Sequence, residues 1–161
     1  MITLFTDGAA KGNPGPGGYG VILKYKDKEK ELSEGFRMTT NNRMELLAVI
    51  AGLEAIKKPG WRVKVVSDSK YVVDSVAKKW LDGWVKKDFK GKKNRDLWER
   101  YLKAAKAHNV TFQWVKGHAG CPENERCDRL AVRAAESSKL NIDSTFERGR
   151  EKSFNFSSDL T

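Results

Sequence analysis

Four carboxylates in the chain have positions from which they could share a metal ion. Asp7 and Asp68 each end an apolar run typical of a β-strand, ITLFTD and RVKVVSD. Ligands bind outside the carboxyl ends of strands in open α/β sheets, so carboxylates that end adjacent strands could lie together. Glu45 falls in the first turn of a predicted helix, and Asp128 lies on a later helix with no Lys or Arg at neighbouring helical positions. One metal site would satisfy all four groups.

Three of these carboxylates also have an ordinary structural explanation. Asp7 could accept hydrogen bonds from its own turn, and Asp68 could cap the helix that follows it. Glu45 could form a capping box with Asn42 at the start of its helix. The residues alone leave these alternatives open, although four unrelated explanations would then have to hold at once.

The glycine-rich segment DGAAKGNPGPGGYG, residues 7–20, raises the possibility of a phosphate-binding loop. Three of its glycines spell the G-x-G-x-x-G pattern of dinucleotide-binding proteins, in which a helix must follow directly. Here the β-rich run YGVILKY follows, and Pro14 and Pro16 remove N–H donors that a phosphate cradle would need. We therefore interpret the segment as a tight connection between two strands and not as a nucleotide site.

The order of the remaining patterns predicts an α/β domain. Three strands in a meander precede a helix that starts at TTNN and stops at Pro59. A strand, short helices, a longer helix, a strand and a final helix follow, which predicts a five-stranded mixed sheet flanked by helices over residues 1–137. Residues 138–161 have no sustained periodicity, and we expect a flexible C-terminal tail there.

Charge and hydropathy narrow the class of partner. The net charge of +10, from 31 Lys and Arg against 21 Asp and Glu, favours a polyanionic partner. Residues 78–106 hold eleven basic and four acidic residues, interleaved with aromatic side chains. No apolar run approaches the ~20 residues of a membrane span, and the start of the chain lacks a signal-peptide pattern. We therefore expect a cytoplasmic protein with no membrane partner.

Four segments carry a resemblance to a known family. The runs FTDGAAKGNPGPGGYG, TTNNRMELLAVIAGLEA, SDSKYVVD and WVKGHAGCPENERCDRLA resemble, in order, the signature segments of bacterial type I ribonuclease H. The resemblance covers roughly residues 1–137 and leaves the tail uncovered. It implies a ribonuclease H-like fold, a monomer, and an endoribonuclease that hydrolyses the RNA strand of RNA/DNA hybrids to leave 5′-phosphate and 3′-hydroxyl ends.

The resemblance also implies roles for the chemistry-bearing residues. Asp7, Glu45, Asp68 and Asp128 would hold two Mg²⁺ ions with substrate bound, and Mn²⁺ is expected to substitute. His118, within KGHAG, matches a family histidine that helps to move protons or release product. A surface histidine kept by loop geometry is the alternative explanation for that residue.

Substrate contacts are implied along the first half of the chain and in a basic helical handle at about residues 78–93, which grips the DNA strand in bacterial members. Asn13, Asn42, Glu45 and the backbone of Gly8 match the region that recognises RNA 2′-hydroxyls. The glycine-rich segment would form a close-fitting wall beside the minor groove. All the substrate-binding positions implied are Gly8, Asn13, Thr40, Asn41, Asn42, Arg43, Lys70, Trp80, Trp84, Lys86 and Lys87.

Within that set, Thr40 and Arg43 match a pocket for a phosphate of the DNA strand, and the two tryptophans could lie against sugars or bases. The chain departs from the best-known bacterial form at Gly83, where that form has Asn, and at Lys70, where it has Gln. The first change is expected to loosen phosphate anchoring, and the second to add charge-driven affinity.

Two other functions fit part of the pattern. A resolvase or integrase would share the fold and the carboxylates but act on DNA, and the matches at Asn13, Asn42 and the handle argue against it. A non-catalytic hybrid-binding module predicts at least one substituted carboxylate, whereas all four are present. The sequence therefore favours the ribonuclease.

Overall fold

The sheet of this protein is mixed and has two covered faces. The computed structural model describes residues 1–117 and 120–150. Within them, five strands form one sheet in the order β3-β2-β1-β4-β5. Strand β2 pairs antiparallel with both β1 and β3, whereas β1, β4 and β5 run parallel. The strands are β1 (Ile2–Ala10), β2 (Gly15–Tyr25), β3 (Lys28–Thr39), β4 (Arg62–Ser67) and β5 (Asn109–Trp114). The predicted α/β fold with a five-stranded mixed sheet is confirmed.

Helices cover both faces of this sheet. Helix α1 packs on β1 and β2 from one side and α5 packs on β1, β2 and β3 from the other. The helices with defined bounds are α1 (Asn41–Glu54), α2 (Lys70–Ala77), α3 (Trp80–Lys86), α4 (Arg95–Ala105) and α5 (Pro122–Ala135). Among residues 1–117 and 120–150, no helix is long and apolar enough to cross a membrane.

The glycines of strand β2 allow α5 to approach the sheet. A Cβ atom at Gly18 would meet the carbonyl oxygen of Ala131, and one at Gly20 would meet that of Cys127. The glycine-rich segment was expected to form a wall against substrate, and this expectation is wrong for these two residues because their close neighbour is the backbone of α5. Strand β1 also continues past Asp7, so that residue lies within the strand and pairs opposite Gly20.

Local signals set the starts of two helices. Thr40 is the N-cap of α1, and its hydroxyl accepts a hydrogen bond from the Arg43 N–H at 3.2 Å. The predicted helix start at TTNN is therefore confirmed. Ser69 is the N-cap of α2 and accepts in the same way from the Val72 N–H. Both helices begin at the end of the sheet where Asp7 and Asp68 lie.

The basic segment is a short helix and a turn anchored by aromatic packing. Leu81 and Phe89 are buried, and Trp98 at the start of the following helix is fully buried. The Trp98 indole N–H donates to the Tyr71 hydroxyl at 2.8 Å, and its ring meets Trp84 edge-on at 5.8 Å. Trp98 is therefore a core residue and not part of the exposed basic surface.

The C-terminal stretch makes specific contacts with the domain. The Asn141 N–H donates to the Gly35 carbonyl at 2.8 Å, and Arg37 N–H donates to the Asn141 carbonyl at 3.0 Å. Asp143 is buried, and residues 144–150 are helical. This docked stretch departs from the loosely held tail expected from residue 138, because edge-strand pairing and a buried carboxylate hold it. Residues 151–161 lie outside the described residues.

Candidate active site

Three of the predicted carboxylates meet at one edge of the sheet. One oxygen each of Asp7, Glu45 and Asp68 lie within 4.8 Å of one another. Strands β1 and β4 are adjacent and parallel, with Thr6 opposite Ser67, so their next residues project at the same edge. Helix α1 brings Glu45 to this point because Gly8 has no Cβ, which would otherwise overlap the Glu45 backbone. The structure therefore supports the prediction that carboxylates on neighbouring elements can share an ion.

The structural alternatives for two of these groups do not hold. The cap of α1 is Thr40, and the Glu45 Oε1 atom instead accepts a hydrogen bond from the Gly8 N–H at 2.6 Å. The cap of α2 is Ser69, so Asp68 is not the capping residue. The Gly8 N–H also donates to the Asp7 carboxylate, at 3.0 Å. A single backbone N–H thus orients two of the three carboxylates.

Asp128 approaches the same cleft from α5. It is half-buried and lines a cleft of about 450 Å³ together with the other three carboxylates. It is not one of the three residues whose oxygens lie within 4.8 Å of one another. Its negative charge nevertheless acts on both Asp7 and Glu45. The fourth predicted ligand is therefore at the site but stands apart from the tight cluster.

The electrostatics of the cluster favour a bound cation. Burial raises the pKa of Asp7 well above its usual range, and the neighbouring carboxylates raise it further. Burial likewise raises the pKa of Glu45, and the charges of Asp68 and Asp128 add to that effect. These shifts express the cost of crowding negative charges in desolvated surroundings. A divalent cation would remove that cost by compensating the charges.

The donor set also fits a hard divalent cation. The Glu45 Oε2 atom is buried and has no hydrogen-bond partner within residues 1–117 and 120–150. A buried carboxylate oxygen without a partner is costly, so an occupant of the cleft is the natural partner. All the ligands offered are carboxylate oxygens, which suit Mg²⁺ and Mn²⁺.

The end of β5 and the segment after it pack against Asp68. A Cβ atom at Gly117 would lie 2.9 Å from the Asp68 Oδ2 atom, and the Trp114 indole N–H donates to the Asp68 carbonyl at 3.2 Å. The Lys70 ammonium lies 4.8 Å from the centre of the Trp114 ring. Sequence reasoning did not single out Trp114 or Gly117, since neither has a pattern that marks it before the strand ends are placed. His118 follows directly but lies outside the described residues.

The asparagines predicted to contact substrate surround this cleft. Asn41 and Asn42 are exposed at the start of α1 and line it together with the Gly8 backbone and Lys70. The Asn13 side-chain oxygen accepts a hydrogen bond from the Asn41 N–H at 3.1 Å. Asn13 thus fixes the β1–β2 connection against the helix that carries Glu45.

Arg43 is buried in a network of ion pairs. It is 5% exposed. Its Nε and Nη2 atoms donate to Asp143 at 2.7 and 2.8 Å, and Nη1 and Nη2 donate to Asp96 at 2.9 and 2.6 Å. Every guanidinium nitrogen thus donates within the protein, and the phosphate contact expected for Arg43 stays a prediction. Thr40 lies beside it as the helix cap.

The two tryptophans of the handle differ in exposure. Trp80 is 47% exposed, and the Lys78 ammonium lies 5.4 Å from its ring centre. Trp84 is half-buried against the aromatic core, with the Lys92 ammonium 5.4 Å from its ring centre. Lys86 and Lys87 are exposed beside them. Contacts of this group with nucleic acid stay a prediction, for which Trp80 offers the larger free surface.

Comparisons with known proteins agree with this geometry. Residues 1–136 match the family model described as RNase H. The chain is 58% identical over 147 residues to a Ribonuclease H of Desulforamulus reducens, covering 88% of this chain and 92% of the relative. It is 50% identical over 152 residues to a Ribonuclease HI of Shewanella oneidensis, covering 91% and 95% of the two chains.

Solved structures show the same fold. The crystal structure of LC9-RNase H1, a type 1 RNase H with the type 2 active-site motif, superposes with a TM-score of 0.76 and 31% identity, covering 86% of this chain and 73% of that one. LC11-RNase H1 in complex with RNA/DNA hybrid gives a TM-score of 0.63 and 26% identity, covering 84% and 97%. With its carboxylates at the shared sheet edge and a family match over most of its length, the chain belongs to the RNase H family.

Proposed function

We propose that this chain is an endoribonuclease that hydrolyses the RNA strand of RNA/DNA hybrids and leaves 5′-phosphate and 3′-hydroxyl ends. The observation that carries the proposal is the cluster of Asp7, Glu45 and Asp68, whose oxygens lie within 4.8 Å in a chain of the RNase H family. An RNA/DNA hybrid is a polyanion, and the protein's net charge of +10 favours its binding.

The metal centre that we propose is held by the four carboxylates and takes Mg²⁺, with Mn²⁺ as a substitute. When bound, such ions neutralise charge on the scissile phosphate and lower the pKa of an attacking water. The protein holds the ligands ready: the Gly8 N–H orients Asp7 and Glu45 at 3.0 and 2.6 Å. Gly117 packs against the Asp68 carboxylate, and Asp128 lines the cleft from α5.

Substrate selection follows from what surrounds this cluster. Asn41, Asn42 and the Gly8 backbone line the cleft, and we assign to them the contacts that distinguish RNA from DNA through its 2′-hydroxyls. Exposed Trp80, with Lys86 and Lys87, would bind the DNA strand by stacking and charge. His118 is proposed to move protons or release product, and the protein to act as a monomer in the cytoplasm.

A carboxylate substitution tests the proposal. Asp7→Asn removes one negative ligand but keeps the side-chain shape, so cleavage of a labelled hybrid should be abolished while hybrid binding stays measurable. Mg²⁺ binding, measured by calorimetry, should weaken in the same variant. Asp27→Asn makes the same chemical change in the exposed β2–β3 turn and should leave both properties unchanged. Full activity of Asp7→Asn would remove Asp7 from the mechanism and overturn the proposed centre.

A further inference from the structure

The Trp114 side chain lies beside the carboxylate cleft and is not explained by core packing. Trp114 is the last residue of β5, and its side chain is 42% exposed. Within residues 1–117 and 120–150, it is not part of the hydrophobic core or of the side chains packed against it. Its specific contacts are made instead with the turn between β4 and α2, residues 68–70.

The register of the sheet brings Trp114 to this turn. Strands β4 and β5 run parallel, and Trp114 lies opposite Ser67, the residue before Asp68. The Val115 N–H donates to the Ser67 carbonyl at 3.0 Å, and the Trp114 indole N–H donates to the Asp68 carbonyl at 3.2 Å. Two successive carbonyls at the end of β4 are thus bonded by two successive residues of β5. The indole hydrogen bond fixes one edge of the ring and so sets where its face lies.

The face of this ring is occupied by Lys70. The Lys70 ammonium lies 4.8 Å from the ring centre, within the ~6 Å over which a cation is attracted to an aromatic face, and Trp is the best such partner. Lys70 is exposed and lines the carboxylate cleft. Among the described residues, no carboxylate forms an ion pair with it. The Trp114 ring is therefore the contact that holds this ammonium, and the charge itself is left uncompensated.

The place of Lys70 in α2 is unfavourable for a cation that has no partner. Lys70 is the first residue of this helix, where the macrodipole is positive and acidic side chains are preferred. The first turn of α2 contains no acidic residue that would offset the charge. The ammonium and the helix N-terminus therefore add their positive charge on one side of the cleft. An anion bound next to the carboxylates would compensate both.

From these contacts we propose that Trp114 is a positioning residue, whose ring holds Lys70 beside the carboxylate cleft so that Lys70 binds a phosphate of the nucleic acid next to the cleavage site. The inference rests on the proposed function for the identity of the nucleic acid. The resemblance to the family implied a substrate contact for Lys70 but no role for Trp114. A lysine side chain is long and flexible, so one that is already held loses less freedom on binding a phosphate.

A double-mutant cycle on the binding of a fluorescent RNA/DNA hybrid in EDTA tests whether Trp114 acts through Lys70. Lys70→Gln should lower the slope of log affinity against log salt by about 0.9, the value for one lost phosphate contact. Trp114→Leu removes no charge but should weaken binding about two- to fivefold, because the cation–π contact is lost. The double variant should bind no more weakly than Lys70→Gln, since the ring then has no ammonium to hold. Trp61→Leu, a matched control just before the opposite end of β4, should leave the affinity unchanged.

Independent effects would multiply in the double variant, and that result would overturn the proposal, as would wild-type affinity in either single variant. NMR of the wild type gives a second measurement that does not require Trp114→Leu to fold. The ring current of Trp114 should shift the Lys70 methylene protons upfield, and shifts equal to those of other exposed lysines would contradict the contact. Absence of cleavage by the wild type would instead overturn the proposed function, so the two failures are distinct.

Discussion

Replacement of Asp143 by Asn tests whether the buried charge network fastens the C-terminal stretch to the active-site helix. Asp143 is 9% exposed and accepts hydrogen bonds from Thr39 at 2.7 Å and from two nitrogens of Arg43. Asn has the same shape, but its amide N–H₂ must face one of these donors. The variant therefore loses a charge-assisted hydrogen bond and leaves Arg43 with half of its compensating charge.

The magnitude follows from the partners that remain. Removing one partner of a buried ion pair costs about 3–5 kcal/mol. Arg43 keeps its two hydrogen bonds to Asp96, so the lower end applies, about 3 kcal/mol. For a domain of this size that corresponds to a fall in Tm of about 6–12 °C. Urea unfolding and thermal unfolding followed by circular dichroism measure both quantities.

The matched control removes the charge from an exposed ion pair. Glu54 pairs with Arg100, and their side chains are 40% and 49% exposed. Glu54→Gln should cost less than about 1 kcal/mol because solvent screens such pairs. A loss in Asp143→Asn no greater than that of Glu54→Gln would refute the conclusion that this network is a buried anchor.

Three further outcomes follow from the structure. Gly8→Ala should destabilise the fold by about 1–3 kcal/mol and lower activity, because its Cβ would overlap the backbone of Glu45; unfolding and cleavage assays measure this. Burial raises the pKa of Asp96, but the hydrogen bonds from Arg43 outweigh that effect, so the pKa in the folded protein lies below 3.8. The ionised Asp96 therefore stabilises the fold above pH 3.8, and this contribution is lost as the pH falls through the lowered pKa. Ser69→Ala should cost about 1 kcal/mol by loss of the α2 cap in urea unfolding.

Each of these outcomes has its own control or contradiction. Gly83→Ala places the same methyl group in open space within α3 and should be neutral or stabilising. An equal loss in both glycine variants would contradict the close-approach explanation. For Asp96, urea unfolding of Asp96→Asn and wild type should differ at pH 7 and converge in acid; a constant difference would contradict the assigned pKa. An unchanged Ser69→Ala would show that the cap contributes nothing.

The sequence predicted the carboxylate site well because local patterns placed its members. Apolar runs ending in Asp7 and Asp68 indicate strands, and strands that run parallel in one sheet end at the same edge. The TTNN start placed Glu45 near the beginning of α1, although the structure has it as the fifth helical residue, just beyond the predicted first turn. What no pattern supplied was the Gly8 N–H that orients two of the carboxylates.

Charge partners distant in the chain were not predictable in the same way. The resemblance to the family implied a phosphate contact for Arg43 but not its burial against Asp143, which lies 100 residues away in the chain. Asp143 itself lies in a stretch without periodicity, so no sequence pattern indicated the ion pair between Arg43 and Asp143. The glycines of β2 were also ambiguous, since a close approach of α5 and a turn both favour glycine.

Cleavage of end-labelled duplexes tests the central claim most directly. RNA/DNA, RNA/RNA and DNA/DNA duplexes of one sequence are incubated with Mg²⁺ or with EDTA, and the products are resolved by length and end group. The account predicts that only the RNA strand of the hybrid is cut, only with Mg²⁺, to 5′-phosphate and 3′-hydroxyl ends. Binding of the hybrid without any cutting, or cutting of the DNA duplex, would contradict it.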